Sequence, residues 1–258
     1  MAAPFYVNEP SSVASSSWRS WRDRLLHALL PAPCLGCGQP LPATGAPLGL
    51  CRPCHAGLRL VPDRTCAVCA RPLAGNLPDA WCCAACRHHP PAYDRLLALW
   101  SYEAPLDAVV QALKFRRLDY LGRHLGEALA QRWREEVAGV DLIVPVPLHW
   151  IRRLSRGYNQ AERIAGALAR RIDRPVVSAL GRGRATPPQT SLGRDERLMN
   201  LRKAFRVRRA GAVRKRHVLL VDDVATTGAT IEAASAALKK AGAAEVTVLV
   251  AGRTLRLT

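Results

Sequence analysis

The segment from His217 to Thr230 reads HVLLVDDVATTGAT and contains the pattern that predicts the fold of this 258-residue chain. An apolar run ends in the adjacent acids Asp222 and Asp223, and small residues and hydroxyls follow. A helical pattern from Ile231 to Ala241 then leads into a second apolar run, Glu245 to Val250. This order of strand, turn, helix and strand is typical of a parallel α/β sheet. Ligands bind at the carboxyl ends of strands in such sheets, so the segment predicts a site as well as a fold.

The turn after the acids has the composition of a phosphate site. Backbone N–H groups at the start of a helix lack partners within the helix and suit a phosphate group, while neighbouring carboxylates can accept hydrogen bonds from two sugar hydroxyls. We therefore predict a sugar phosphate, with its hydroxyls on Asp222 and Asp223 and its phosphate on the amides and Thr hydroxyls of the turn that follows. The alternative is that the two acids merely end the strand. The phosphate motifs G-x-x-x-x-G-K-[ST] and G-x-G-x-x-G do not occur in the sequence.

The same alternation of apolar runs and helical patterns extends back to Tyr93. It predicts strands at Leu96–Tyr102 and Asp141–Pro147, a helix that begins at Pro105, and helices at about Leu118–Val137 and Asn159–Ile172. We therefore expect residues 93–258 to form one α/β domain, an open parallel sheet flanked by helices.

The cysteines form an internal repeat in front of this domain. All nine lie between positions 34 and 86, and eight of them fall into four C-x-x-C pairs. The last two pairs follow the first two at a spacing of 32 residues, and Pro40-Leu41 recurs as Pro72-Leu73 at the same spacing. Paired thiolates on short turns suit tetrahedral Zn²⁺. The repeat predicts two structural zinc sites, Cys34/Cys37/Cys51/Cys54 and Cys66/Cys69/Cys83/Cys86.

Other interpretations of the cysteines remain at this point. An interleaved cross-brace would use the same eight thiols, and a disulfide framework would require an oxidising compartment for which the sequence shows no export signal. Cys82 breaks the repeat and is expected to be a spare thiol, while His55, His88 and His89 are alternative ligands. A site closed by four thiolates has no open position for catalysis, so we expect the zinc ribbons to serve recognition or docking.

Composition and local sequence patterns divide the chain into three predicted segments. Residues 1–17 are rich in Ser, Ala and Pro and predict a frayed arm, followed by a short amphipathic helix from Trp18 to Leu30. The expected division is residues 1–30 for this arm and helix, 31–92 for the double zinc ribbon and 93–258 for the α/β domain. No apolar run reaches the length of a membrane span, and we expect a soluble, cytoplasmic protein.

The chain is strongly basic, with 38 Lys and Arg against 20 Asp and Glu and a net charge of +18. Such a field attracts phosphates, nucleic acid or anionic membranes, although a compositional bias towards Arg on a solvated surface is the alternative. The densest stretch, residues 182–216, has 12 basic side chains and 2 acids, and its Gly and Pro residues are typical of a loop.

Residues Val218 to Thr230 resemble the phosphoribosyl pyrophosphate (PRPP) motif of type I phosphoribosyltransferases, with two adjacent acids and T-T-G-x-T. The zinc repeat together with four further segments resembles the ComF family of competence-associated proteins: VPVPL at 144–148, RGYNQ at 156–160, TPPQ at 186–189 and NLRKAF at 200–205. The resemblance covers roughly residues 20–255. It implies a type I phosphoribosyltransferase fold behind a double zinc ribbon, and a link to the use of DNA taken up from outside.

The resemblance also implies roles for individual residues. Asp222 and Asp223 would hold the ribose hydroxyls of PRPP, residues 225–230 would hold its 5′-phosphate, and Mg²⁺ would bridge pyrophosphate and ribose oxygens. The residues implied on the pyrophosphate side are Leu148, Arg152 and Arg156. A mobile loop closes over the pyrophosphate in that fold, and the candidates for its clamp are Arg182, Arg184, Arg194 and Arg197. Two roles are equally compatible with the position of Asn159, a helix cap and a ligand contact. The sequence does not decide whether the peptide bonds before Pro145 and Pro147 are cis or trans.

One departure from the family pattern bears on chemistry. Purine-salvage relatives place an Asp as base where this chain has Thr226, which puts purine salvage in doubt and leaves the acceptor open. Three functions remain: a phosphoribosyltransferase with an unknown nitrogenous acceptor, a non-catalytic PRPP sensor or single-stranded-DNA-binding competence factor, and a protein that docks a competence or DNA-processing partner through the zinc ribbons. Aromatic residues are only 5% of the chain, so Trp81 and Trp100 are expected in the core rather than in a stacking platform for single strands.

Overall fold

A computed structural model describes residues 31–42, 44–75, 81–183 and 204–255. Helices and strands in these ranges are, in chain order, α1 (Arg52–Ala56), α2 (Ala84–His88), β1 (Arg95–Ser101), α3 (Leu106–Phe115), α4 (Tyr120–Trp133), β2 (Leu142–Pro145), α5 (Trp150–Arg156), α6 (Gln160–Ile172), β3 (Leu180–Arg182), β4 (Phe205–Val207), α7 (Ala210–Val213), β5 (His217–Ala225), α8 (Ala229–Lys240) and β6 (Glu245–Arg253). The predicted arm and its helix at 18–30 lie outside the described residues, as do Arg184, Arg194, Arg197 and the TPPQ segment.

The main sheet is parallel and, within the described residues, has four strands in the order β1-β6-β5-β2. Alternate residues of β5 enter different cores, because successive side chains of a strand point to opposite faces. Leu219 and Val221 pack with α3, α4 and α6, whereas Val218 and Leu220 pack with α8 and the β3–β4 hairpin. Helices thus cover both faces of the sheet, and the predicted α/β class is confirmed.

The elements around the acid pair differ in detail from the sequence-based expectations. Strand β5 continues through Asp222 and Asp223 to Ala225, so the acids lie within the strand. Helix α8 begins at Ala229, two residues before the predicted start at Ile231, because Gly228 adopts the left-handed conformation that leads directly into it. Strand β2 ends at Pro145, and the cis peptide bond of the described residues precedes Pro105 rather than Pro145 or Pro147.

The basic stretch 182–216 is not entirely loop. Its described part contains β4 and α7, and β4 pairs antiparallel with β3 through the register Arg182↔Phe205. Leu180 and Phe205 are buried in the core beneath α8, and this apolar contact explains why a segment rich in Arg folds back as a hairpin. Trp100 is buried, as expected, whereas Trp81 is exposed over 36% of its surface.

The chain between the zinc-ligand clusters covers the outer edge of β1. Leu60 forms an antiparallel bridge with Trp100, and the Val61 N–H donates to the Leu99 carbonyl at 3.0 Å. The Leu96 N–H donates to the Val68 carbonyl at 2.8 Å. These contacts satisfy backbone groups that an open sheet edge would expose. The cysteine-rich part is therefore integrated with the sheet. Among the described helices, none is both long enough and apolar enough to cross a membrane.

Candidate functional site

Asp222 and Asp223 lie near the carboxyl end of an interior strand, on opposite faces of the sheet. Asp223 is 6% exposed and follows Leu219 and Val221 towards α3, while Asp222 is half-buried and follows Val218 and Leu220 towards α8 and the hairpin. The Asp223 backbone N–H donates to Asp222 Oδ1 at 2.9 Å. The two carboxylates therefore lie on either side of the sheet near the carboxyl end of β5.

Each carboxylate has a cation from a different element. Lys114 Nζ, near the end of α3, lies 3.1 Å from Asp223 Oδ1. Arg182, at the end of β3, interacts electrostatically with Asp222, and its guanidinium lies 5.3 Å from the centre of the Phe205 ring. Arg182 was predicted as a loop clamp and lies at the acid pair. Lys114 was missed, because a lysine in the last turn of a helix is common and gives no site signal.

The pKa of Asp222 is raised from 3.8 to about 7. Burial is the largest cause, and the negative charge of Asp223 adds to it. The Asp223 N–H, Lys114 and Arg182 act in the opposite direction without cancelling the shift. A carboxyl group in this state gains from a further positive charge, and a bound cation would supply one.

The turn that follows the acids links β5 to α8. Thr226 and Thr227 are exposed, and the left-handed Gly228 (φ 80°) is the N-cap residue of α8. Gly228 has no side chain with which to cap the helix, and Thr227 Oγ1 accepts from the Ala229 N–H at a long 3.4 Å. The Thr254 N–H fixes the start of the turn by donating to the Ala225 carbonyl at 3.0 Å. The turn thus presents hydroxyls and helix-start amides to solvent, the donors that a phosphate requires.

A cleft of about 550 Å³ lies beside the acid pair, between the ends of α3 and α5. The described residues that line it are Gln111, Lys114, Phe115, Arg117, Ser155 and Arg156. The Arg156 guanidinium lies 4.8 Å from the centre of the Phe115 ring and joins the two walls. Lys114 belongs both to this cleft and to the ion pair with Asp223, so this side chain links the cleft to the acid pair.

The remaining predicted residues take different positions. Arg156 lines the cleft, Leu148 is half-buried after β2, and Arg152 lies in α5. Asn159 is buried as the N-cap of α6: its Oδ1 accepts from the Ala161 N–H and its Nδ2 donates to the Val146 carbonyl. Of its two predicted roles, Asn159 therefore performs the capping role.

The eight repeat cysteines form two clusters, each with sulfur atoms within 4.8 Å of one another: Cys34/Cys37/Cys51/Cys54 and Cys66/Cys69/Cys83/Cys86. This confirms sequential pairing rather than a cross-brace. The Cys51 N–H donates to Cys34 Sγ at 3.2 Å, and the repeat-equivalent Cys83 N–H donates to Cys66 Sγ at 3.3 Å. Four thiols with amide donors fit tetrahedral Zn²⁺, and the clusters are structural zinc sites.

Backbone amides also shift the pKa of two thiols in these sites. Burial raises the pKa of Cys34 and of Cys66, but N–H donors from neighbouring backbone outweigh it and lower both values to about 6. Metal ligands must be deprotonated, so this shift favours zinc binding through Cys34 and Cys66. In the same clusters the neighbouring Cys51 thiol raises the pKa of Cys54, and burial raises the pKa of Cys86. Among the described residues, Cys82 and the histidines at 55, 88 and 89 lie outside both clusters.

The chain just after the second zinc unit is tied to α8, the helix that follows the turn after the acid pair. The Glu232 carboxylate, in the first turn of α8, accepts from the Ala92 N–H through both oxygens, at 3.0 and 3.2 Å. Lys239 of the same helix pairs with Asp94 at 2.7 Å. No motif in the sequence predicts these contacts, which join residues separated by more than 100 positions.

Comparison with known proteins agrees with this arrangement. A family model described as a phosphoribosyl transferase domain matches residues 159–255, and one described as a double zinc ribbon domain matches residues 25–89. The chain is 35% identical over 234 residues to the DNA utilization protein YhgH of Escherichia coli strain K12, covering 88% of this chain and 99% of that protein. It is 32% identical over 219 residues to competence protein F of Haemophilus influenzae, covering 77% and 94%. The Bacillus subtilis glutamine PRPP amidotransferase is similar to 50% of this chain over 25% of its own, at 24% identity and a TM-score of 0.38.

Proposed function

This chain belongs to the ComF/YhgH family of competence and DNA utilization proteins, and from that premise we propose that its α/β domain binds PRPP together with Mg²⁺ in the cytoplasm. The observation that carries the proposal is the pair Asp222 and Asp223 on β5, with a phosphate-type turn after it and a cationic cleft beside it. The acids would accept hydrogen bonds from the two ribose hydroxyls, and residues 225–230 would hold the 5′-phosphate. The pyrophosphate would extend towards Leu148, Arg152 and Arg156.

The donor set fits Mg²⁺. Hard cations prefer carboxylate and phosphate oxygens, and Mg²⁺ commonly binds one or two carboxylates together with substrate phosphates. Asp222 has a pKa raised to about 7 by burial and by Asp223, so a cation near this pair would relieve the repulsion. When bound, Mg²⁺ would neutralise charge on the departing pyrophosphate.

The chemistry that this site supports is transfer of the phosphoribosyl group. The lone pair of a nitrogen nucleophile would form a bond to the anomeric carbon, while the bond from that carbon to pyrophosphate breaks and its electron pair leaves with pyrophosphate. The proton that the nitrogen loses would pass to water or to the released pyrophosphate. Arg182, which interacts electrostatically with Asp222, would help to orient it, and Arg184, Arg194 and Arg197 are candidates to close over the leaving group.

A second function, PRPP binding without turnover, is favoured by one observation. Thr226 stands where purine-salvage relatives have an acid, so this chain has no carboxylate base at that position for the proton that the nucleophile loses. Such a protein would sense PRPP, or bind single-stranded DNA, in competence. In either function, the zinc ribbons would dock a competence or DNA-processing protein.

Calorimetric titration of the zinc-loaded protein with PRPP and Mg²⁺ tests the site. We expect binding by the wild type and by Asp63→Ala, an acid whose side chain is 98% exposed, and loss of binding in Asp222→Ala/Asp223→Ala. Pyrophosphate release on addition of nitrogenous acceptors would then separate the enzyme from the sensor. A folded wild type that does not bind PRPP would refute the proposal.

The pH dependence of binding gives an independent check. The folded-state pKa of Asp222, about 7, exceeds its ordinary 3.8, so between these values the folded protein retains a proton that the unfolded chain has lost. Stability from this group is therefore full below about pH 4 and is lost as the pH rises through 7. Asp222→Asn should remove that loss, seen by denaturant titration as a relative gain at pH 8. In the wild type, Mg²⁺–PRPP affinity should rise from pH 6 to 8 more steeply than in Asp222→Asn.

A further inference from the structure

The segment RGYNQ at 156–160 connects α5 to α6, and its three middle residues fix the course of the chain. Gly157 ends α5 in the left-handed conformation, at φ 80°. The Tyr158 hydroxyl donates to a backbone carbonyl near the end of α3, and Asn159 caps α6. These structural roles leave the first and last residues of the segment, an arginine and a glutamine, to be explained.

The two end residues contact each other through a side-chain hydrogen bond. Arg156 Nη1 donates to Gln160 Oε1 at 3.3 Å. Gln160 is 1% exposed, and its Nε2 is buried with no hydrogen-bond partner among the described residues. Because a guanidinium only donates, the amide oxygen of Gln160 must face Arg156, and the NH2 group is the one without a partner.

The neighbouring amide, Asn159, shows how a buried amide with a structural role is paired here. Its oxygen accepts from the Ala161 N–H, and its nitrogen donates to the Val146 carbonyl. An apolar side chain in place of Gln160 would avoid the cost of burying an unpartnered NH2 group. It could not make the hydrogen bond to Arg156. Incomplete pairing of a buried polar group is typical of a functional position, so we infer a functional reason for this contact.

An aromatic ring holds the same guanidinium from the other wall of the cleft. Phe115 is 67% exposed, and the Arg156 guanidinium lies 4.8 Å from the centre of its ring. The preceding residue, Lys114, pairs with Asp223 at 3.1 Å. The end of α3 therefore contacts Arg156 through one side chain and the acid pair through the side chain before it.

We propose that Gln160 and Phe115 are positioning residues that hold the Arg156 guanidinium for the pyrophosphate of PRPP. This inference rests on the proposed function, which places the pyrophosphate on the side of Arg156. Ordering a long side chain opposes binding, and a guanidinium that is already held by an amide and a ring loses less freedom when the ligand arrives. Both of these partners are uncharged, so they orient the guanidinium without neutralising the charge that attracts phosphate oxygens.

Calorimetric titration of the zinc-loaded full chain with Mg²⁺ and three probes tests the inference: PRPP, inorganic pyrophosphate and ribose 5-phosphate. Gln160→Met should weaken binding of PRPP and of pyrophosphate about five- to tenfold and leave that of ribose 5-phosphate unchanged. Phe115→Leu should weaken the same two ligands about two- to fivefold, the effect of an exposed cation–π contact. Gln131→Met is the matched control, because Gln131 is exposed on α4, and it should change none of the three affinities.

A double-mutant cycle shows whether Gln160 acts through Arg156. Arg156→Ala should weaken pyrophosphate binding more than Gln160→Met does, and adding Gln160→Met to Arg156→Ala should cause no further loss. Additive losses would overturn the positioning role. Without ligands, the urea midpoint of Gln160→Met should equal or exceed that of the wild type, since the variant no longer buries an unpartnered NH2 group. A lower midpoint with equal loss of all three ligands would show a merely structural role.

The three probes also separate this inference from the PRPP proposal. Equal pyrophosphate affinity in the wild type and in Gln160→Met would refute the positioning role alone. Wild-type protein that binds ribose 5-phosphate but no pyrophosphate would refute the positioning role and leave the sugar-phosphate part of the proposed function intact. Wild-type protein that binds none of the three probes would refute both.

Discussion

The two zinc units have the same sequence repeat and equivalent backbone conformations, but they pack differently against the rest of the molecule. Their repeat-equivalent hydrogen bonds agree closely: the Leu35 N–H donates to the Gly49 carbonyl at 2.9 Å, and the Ala67 N–H donates to the Trp81 carbonyl at 3.0 Å. Helices α1 and α2 also begin at equivalent positions, directly after the third cysteine of each unit. The metal-binding framework is therefore duplicated.

The surroundings of the two frameworks are not duplicated. In the first unit Cys37 is exposed, yet Leu41, Leu48 and Leu50 enter the main core against α4. In the second unit all four cysteines are buried and form a small cluster of their own, with Val68, Leu73 and Cys82 around it. The first unit thus has an apolar anchor and an accessible metal site. In the second unit the metal site itself is the centre of the local core, and the contribution to the core beneath α8 is smaller, from Ala70 with Val68 packed against it.

The difference indicates that zinc binding and the burial of apolar side chains are alternative sources of folding free energy in small units. A domain too small to bury a core needs metal binding for its folding free energy. The first unit shares the core of its neighbour and needs its zinc less. The second unit needs its zinc more, and the chain that follows it is held to α8 by the hydrogen bonds from the Ala92 N–H to Glu232.

Replacing the first two cysteines of each unit should give the largest effect and the clearest contrast. Cys66→Ser/Cys69→Ser should lose one zinc and destabilise the protein by more than about 4 kcal/mol, because the metal is the centre of its local core. Cys34→Ser/Cys37→Ser should also lose one zinc but cost about 2 kcal/mol, since Leu48 and Leu50 keep their core contacts. Zinc content and urea unfolding measure both. Equal losses of stability would contradict the comparison.

Gly36 allows the first site to be disturbed without removing a ligand. A Cβ at this position would lie 2.9 Å from Cys54 Sγ, a distance that real Cβ atoms do not reach. Gly36→Ala should therefore weaken zinc binding at the first site and destabilise by about 1–3 kcal/mol. The second unit has Val68 at the equivalent position, so Val68→Ala is the matched variant and should leave both zinc ions bound.

How much of this contrast the sequence contains can be judged position by position. The 32-residue spacing predicted two four-cysteine sites but left the cross-brace open, and the order of strand, turn, helix and strand around the acids predicted the parallel sheet. The sequence also contains the apolar anchor of the first unit, Leu48 and Leu50. The equivalent positions of the second unit have the smaller residues Ala80 and Cys82. Lys114 and the cleft could not be predicted, because they combine helix ends far apart in the chain and neither segment carries a motif of its own.

Removal of zinc by a chelator should follow the exposure of the ligands. We expect two phases with 4-(2-pyridylazo)resorcinol, the faster one from the first site, where Cys37 is exposed, at a rate about tenfold that of the second site. The variant Cys34→Ser/Cys37→Ser should retain only the slow phase. A single phase releasing both ions, or a fast phase that survives in this variant, would show that accessibility does not distinguish the two sites.

The smallest effect is expected at the fifth residue of each repeat, where the backbone is left-handed in both units. Gly38 has φ 77° with no atom within 4 Å of the place a Cβ would take, and Ala70 has φ 53°. Gly38→Ala should destabilise by about 1 kcal/mol, because its methyl would be strained and would gain no contact. Ala70 is 5% exposed and its methyl packs in the core beneath α8, so in Ala70→Gly the relieved strain and the lost packing should nearly cancel. Thermal unfolding of the two variants tests this. If Ala70→Gly raised the melting temperature by as much as Gly38→Ala lowered it, backbone strain alone would set the energy of both turns. The core contact of Ala70 would then contribute nothing.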